Sequence, residues 1–120
     1  FRIIVVMDED IYHGELNFVF GVGNISLGVG LISITRLRES FYRKLGLIHR
    51  KSDSESSFEL RMLKESIHEL GHTFGLGHCD RFCIMRFSDC LADTDKKPPK
   101  FCKSCQKKLK NFFKDLPKSF

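Results

Sequence analysis

The chain has no tryptophan and only three prolines among its 120 residues. Nowhere does it carry an apolar run of about eighteen residues, which excludes a membrane-spanning helix. Scarce proline, alongside 42% hydrophobic residues and twelve phenylalanines, excludes a proline-rich linker or a disordered polar chain. The absence of an internal repeat removes solenoids and propellers. Acid is in the minority: 15 Asp and Glu against 20 Lys and Arg leave a net charge of +5. Nine glycines are present, yet no Lys-Ser or Lys-Thr pair follows Gly21, Gly23, Gly28 and Gly30, so these do not form a phosphate cradle. What remains is a length and composition suited to one core, and residues 1–120 are read as a single domain.

Against these absences stands one dense stretch, His68-Glu69-Leu70-Gly71-His72-Thr73-Phe74-Gly75-Leu76-Gly77-His78. On a helix at about 100° per residue, His68 and His72 stand about 40° apart and one turn separated, so both rings reach one metal ion. Glu69 falls on the adjacent flank, where it can take a proton from a metal-activated water. Gly75 permits a sharp turn after the helix, because without a Cβ it adopts positive φ. That turn brings His78 back as a third ligand. Three neutral imidazoles with one open position describe a catalytic zinc rather than a closed structural one. Two histidines four residues apart also occur by chance; the added glycine and third histidine make a metal site the stronger reading.

Cysteine supplies a second set. Cys79 follows His78 directly, then come Cys83 and the pair Cys102-Lys103-Ser104-Cys105. Four thiolates suffice for a tetrahedral structural zinc, and a C-x-x-C pair fits the tight knuckle that faces two sulfurs toward one ion. Disulfides are the competing reading. Five cysteines is an odd number and no secretory leader is visible, so reduced thiols in a cytoplasmic setting are expected. Cys90 lies between the pairs without a partner and is read as a packed or free thiol. Met85, taken by itself, is a core residue.

Patterning places these motifs. Phe1–Met7 reads as a buried strand, 8–15 as a polar loop, Asn17–Val22 as a short strand and Leu31–Leu37 as another. The four glycines between them read as a flexible turn, Ser40–Leu47 as a short helix, and 51–57 as a serine-rich loop. Ser56 and Glu59 fit a capping box, which starts the histidine-bearing helix at about 57 and runs it to 74. Leu60, Leu63, Ile67, Leu70 and Phe74 form its apolar stripe, set over 90° from the histidines, so the stripe is expected to pack while the histidine face lines a cleft. Pro98-Pro99 stops any element before a last helix over 103–113. There Lys107, Lys108 and Lys110 crowd Phe112 and Phe113. A solvated basic helix explains them better than a nucleic-acid footprint, because the rings share core-like spacing with Leu109 and Leu116.

His68 to His78 followed at once by Cys79, then Cys83-Ile84-Met85, then Cys102-x-x-Cys105, resembles the archaemetzincins, a branch of the metzincin clan of zinc peptidases. The likeness runs from Ile11 to about Leu109, with weaker echoes in Asp10-Ile11-Tyr12 and Asn17-Phe18-Val19-Phe20-Gly21. The resemblance implies an α+β fold of the metzincin type: a mixed twisted sheet packed on the active-site helix, then a four-cysteine zinc knuckle and a C-terminal helix. It implies a catalytic zinc on His68, His72 and His78, Glu69 as general base, and a second zinc on Cys79, Cys83, Cys102 and Cys105. It also implies that Met85 forms a Met-turn beneath the first metal. Two departures are visible. Only three residues separate Cys79 from Cys83 where the family has four, and the stretch from Met85 to Cys102 is about one residue short. The family also carries a preceding segment of the same sheet, which is expected to be missing here because the chain opens at Phe1 directly in a strand.

The expected function is therefore a zinc-dependent peptidase acting on peptide or protein substrates, with two zinc ions and no membrane partner. Two alternatives stand beside it. One is a zinc-stabilised binding protein with little turnover, against which Glu69 argues; the other is a basic zinc-knuckle module for nucleic acid.

Overall fold

A computed structural model describes residues 1–15, 17–47 and 55–115. Three strands, β1 (Ile3–Met7), β2 (Gly21–Asn24) and β3 (Val29–Ser33), form one sheet in the order β1-β3-β2. β1 runs parallel to β3, with Ile3 opposite Val29 and Met7 opposite Ser33. β2 runs antiparallel to it, with Gly21 opposite Ile32. Helices follow: α1 (Glu39–Lys44), α2 (Glu55–Thr73), α3 (Leu91–Lys96) and α4 (Lys103–Lys114). This is a mixed α+β domain, as expected, with the sheet against α2. Among the described residues no helix is long and apolar enough to cross a membrane.

Several element boundaries differ from the sequence reading. β1 is not buried: Ile3, Val5 and Val6 are all exposed, because α2 packs chiefly on β3 and β2 and covers little of β1. The strand expected at Asn17–Val22 starts later, and Val19 instead makes an isolated bridge to Ile11. β3 ends at Ser33, and Thr35–Leu37 is a 3-10 turn rather than more strand. The reason lies in side-chain partners. Arg36 forks onto Asp10 at 2.9 and 2.7 Å while its guanidinium sits between Phe18 and Phe41, and Leu37 drops fully into the interior. Asp10 and Asp8, which bonds Arg38 and Thr35, thereby tie the polar loop to this turn. The glycines expected as a flexible turn mostly lie within strands; of the four, only Gly28 has positive φ.

The helix α2 already includes Glu55 and Ser56, so Ser56 is inside it rather than at its cap. The serine-rich stretch at 51–54 and Leu116 lie outside the described residues. A larger correction concerns the faces of α2. The charged face is the buried one: Arg61, Lys64, Glu65, His68 and Glu69 are each under 5% exposed, whereas Leu60 and Leu63 are exposed. Ionic partners make that burial tolerable, since a buried charge needs a pairing group. Arg61 forks onto Asp95 at 2.7 and 2.9 Å, and Lys64 Nζ donates to the carbonyls of Thr94 and Asp95. Lower down the stripe behaves as expected. Ile67 packs on a core of Leu76, Cys83, Ile84, Met85 and Cys105, together with Phe101 and Leu109. Phe74 meets Phe112 and Phe113 at ring distances of 5.6 and 5.1 Å. Those rings of α4 are therefore engaged in packing, as their spacing suggested, and the α4 lysines point to solvent.

Candidate metal centres and their cleft

The histidine-bearing helix ends in a turn set by glycine. Gly75 adopts φ +87, Gly75 N–H donates to His72 O at 3.0 Å and Leu76 N–H to Gly71 O at 3.1 Å. This paired closure is a Schellman motif, which reverses the chain at the helix end. The reversal buries Leu76 and returns His78 beside the helix. The ligand atoms of His68, His72 and His78 all lie within 4.8 Å of one another.

Ring orientation is imposed from behind. His68 Nδ1 is 2.8 Å from Ile84 O, and His72 Nδ1 is 2.8 Å from Leu76 O. Carbonyl oxygens only accept, so each Nδ1 carries a proton and each Nε2 is turned toward the other ring. Burial, helped by the Lys97 charge, pushes His68 down to about 3, and burial also lowers His78. The two Nε2 atoms face each other 3.2 Å apart, a separation that needs a proton or a metal ion between them. Ligands on a tetrahedral ion at 2.0–2.1 Å bonds are about 3.3 Å apart. The set fits a metal ion.

Glu69 adjoins it. The residue is 3% exposed, its Oε1 is 3.9 Å from His68 Nε2, and its Oε2 has no hydrogen-bond partner among the described residues. Burial, reinforced by the Glu65 charge, raises its carboxyl to about 8. Behind Glu65 sits Lys97, 2% exposed, with Nζ 3.2 Å from Glu65 Oε1 and donating to Arg86 O at 3.1 Å. Thr94 Oγ1 donates to the same Glu65 oxygen at 2.9 Å. The imidazoles and Glu69 line a cavity of about 230 Å³ that also takes in Gly21, Val22, Gly23 and Ser88.

Sequence reasoning missed what seats the sheet against this helix. A Cβ on Gly21 would stand 2.8 Å from Glu69 Cγ, and one on Gly23 would stand 2.7 Å from both Glu69 O and His72 Cβ. Real Cβ atoms do not approach so closely, so glycine at these positions lets β2 lie directly on the helix beside Glu69. The alternation of Gly21, Val22 and Gly23 carried that signal, because every second residue of a strand faces the same side. The tight buried pair Lys97–Glu65 had no sequence signal.

The cysteines converge as well. The sulfurs of Cys79, Cys83, Cys102 and Cys105 lie within 4.8 Å of one another, and Cys79 Sγ is 3.9 Å from Cys102 Sγ. A disulfide needs about 2.05 Å, while the edge of a tetrahedron with 2.3 Å metal–sulfur bonds is about 3.8 Å. The separation suits a metal ion. Met85 N–H and Cys102 N–H both donate to Cys83 Sγ, at 3.4 and 3.3 Å. The Cys105 backbone amide draws Cys102 down to about 7, and burial raises Cys79 and Cys105. The shortened Cys79–Cys83 spacing therefore still closes the set. Cys90 is exposed at the start of α3 and outside both groups. Met85 is fully buried beneath the helix, where a Cβ on Gly71 would collide with its sulfur, and its carbonyl accepts from Cys79 N–H at 3.0 Å.

Fold and site together define a class: a small α+β domain with three histidines placed so that they could share one metal ion, an acid at their flank and a four-cysteine cluster beside them. The chain belongs to peptidase family M54, whose sequence profile matches residues 1–111. Among its relatives, the archaemetzincin of Saccharolobus islandicus is 44% identical over 115 residues, which are 95% of this chain and 58% of that protein. The crystal structure of a zinc-dependent peptidase from Methanocorpusculum labreanum superposes with a TM-score of 0.80 at 38% identity, over 90% of this chain and 53% of that one. The archaemetzincin structure from Methanopyrus kandleri gives a TM-score of 0.79 at 38% identity, over 94% and 56%. The chain thus spans little more than half the length of these relatives.

Proposed function

We propose that this chain is the zinc-binding catalytic part of a metzincin-type peptidase, hydrolysing peptide bonds with a metal-activated water. The observation that carries the reading is the pair of Nε2 atoms facing each other 3.2 Å apart, beside a Glu69 oxygen with no partner among the described residues, at the edge of a cavity. His68, His72 and His78 would hold the catalytic ion. When bound there, zinc supplies a Lewis acid and lowers the pKa of a water ligand toward neutrality. Glu69 takes the proton from the attacking water and passes it to the departing amine nitrogen. Its low exposure and raised affinity for a proton suit a group that both accepts and returns one.

β2 is the other edge of the sheet, and its residues Gly21 to Gly23 line the cavity. An extended peptide added along it would be held mainly through backbone bonds, giving weak sequence preference. Cys79, Cys83, Cys102 and Cys105 would hold a second, structural zinc, and Met85 would form the Met-turn. The reduced thiols accord with a cytoplasmic setting.

Glu69→Gln in the purified zinc-loaded chain tests the mechanism. Cleavage of a peptide library falls by about 10²–10⁴-fold while zinc content is kept; undiminished cleavage excludes Glu69 as the base. Metal analysis tests the ion count. Two zinc ions per chain are expected, falling to one after His68→Ala with His72→Ala.

A further inference from the structure

The segment after Met85 carries a group for which the chemistry above has no use. Ser88 is 9% exposed, lines the same cavity as Glu69 and the histidines, and its hydroxyl is buried without a hydrogen-bond partner among the described residues. Other poorly exposed hydroxyls are satisfied. Thr73 Oγ1 donates to Leu70 O at 2.6 Å, Thr94 Oγ1 to Glu65 at 2.9 Å and Ser33 Oγ to Glu9 O at 2.6 Å. Nor is the segment slack. Lys97 Nζ holds Arg86 O at 3.1 Å on one side of Ser88, and Asp93 Oδ2 holds Asp89 N–H at 3.1 Å on the other. The backbone is pinned at both flanks, so the position of Ser88 is imposed and its hydroxyl stays unsatisfied at a cost.

The cavity therefore holds two polar atoms without a partner among the described residues, Glu69 Oε2 and Ser88 Oγ, and the hydroxyl can donate. A peptide backbone brings carbonyls that need donors once water is displaced. We propose that Ser88 is a substrate-contacting residue whose hydroxyl, turned into the cavity about its single side-chain torsion, donates a hydrogen bond to a backbone carbonyl of the bound peptide. β2 contacts the peptide through its backbone, and Ser88 adds one side-chain contact from the segment after Met85. This rests on the peptidase reading.

The test is Ser88→Ala in the zinc-loaded chain, measured by thermal unfolding and by cleavage of a library of fluorogenic, unstructured peptides. Removing a hydroxyl that has no partner leaves Tm unchanged or raised. Losing its bond to substrate raises KM about tenfold with kcat within about twofold. A labelled peptide chosen from those cleaved binds the Glu69→Gln protein about tenfold more weakly once Ser88→Ala is added. Unchanged KM and unchanged peptide affinity overturn the inference, and so does a lowered Tm, which would mark the hydroxyl as structural. If the wild-type chain cleaves no peptide of the library, the peptidase reading falls and the role of Ser88 falls with it. Cleavage by the wild type and an equal rate from Ser88→Ala remove the role of Ser88 alone.

Discussion

One peptide bond, between His78 and Cys79, separates a set of three imidazoles from a set of four sulfurs, and the two are satisfied by different means. Around the sulfurs, Cys83 and Cys105 belong to the apolar core, and backbone amides already donate to Cys83 Sγ. Around the imidazoles, the fold binds the back of two rings and leaves their Nε2 atoms facing each other, beside one Glu69 oxygen and one hydroxyl that have no partner among the described residues. Proximity alone does not decide what a metal site is for. Donors spent on the ligands and apolar burial make an ion part of the fold; unspent groups at a cavity make it available to something else.

The largest effect should come from the cysteine side. Cys83→Ser removes a fully buried sulfur at the centre of that set, and a structural zinc contributes on the order of 10 kcal/mol to a small domain, comparable to its whole stability. Loss of the cooperative melt and rapid proteolysis of the segment from Cys79 to α4 are expected; a melt like the wild type's would erase the distinction between the two sets. His72→Ala should instead abolish zinc-dependent cleavage while the cooperative melt survives, checked by calorimetry on the same samples.

Lys97→Met probes the support behind the imidazoles. It strands Glu65 as a buried charge without its cation, at a cost of about 3–5 kcal/mol, and adding Glu65→Met should recover most of the loss in denaturant titrations. A smaller effect is expected at the sheet. Gly23→Ala forces β2 away from Glu69, so KM and kcat should both worsen with a Tm loss of a few degrees, whereas Gly77→Ala, where a Cβ meets nothing, should change neither.

The mildest test is pH, applied to protein from which a mild chelator has removed the imidazole-bound ion alone, the four-cysteine ion staying in place. Glu69 is raised to about 8 when folded, so its contribution is full below about 4.5 and is lost as pH rises toward 8. His68 is lowered to about 3, so its contribution is full above 6.5 and is lost as pH falls toward 3. The slopes cancel between about 4.5 and 6.5. The chelated chain should show a stability plateau there and decline on both sides, and Glu69→Gln should remove the decline above 6.5. A monotonic pH profile in the chelated wild type would contradict this balance.

Much of both sites was legible because local spacing carries it. The separation of His68 and His72 by four residues is helical arithmetic, and Gly75 at positive φ is a property of glycine before it is a property of this fold. The cysteine pairing could be read because thiolate ligands have few other uses at such spacing. The faces of α2 were misread for the opposite reason. Apolar periodicity marked Leu60 and Leu63 for burial, but the long-range partners Asp95, Thr94 and Lys97 cover the charged side instead. Such pairings join residues about thirty positions apart, and no local pattern announces them. Similarly, the glycines of β2 looked like turn residues until the helix they touch was in place.

The sequence by itself determined which atoms are able to hold metal, which acid stands next to them and where the helix must end, since these follow from residue chemistry and the 3.6-residue period. Only the tertiary structure decided that Nδ1 of each helix histidine is tied to a distant or reversed carbonyl, that glycine brings the sheet onto the helix, and that Glu69 Oε2 and Ser88 Oγ share one cavity without a partner among the described residues. Those outcomes depend on how separate elements close over one another, and burial, which sets what each polar atom lacks, exists only after they have closed.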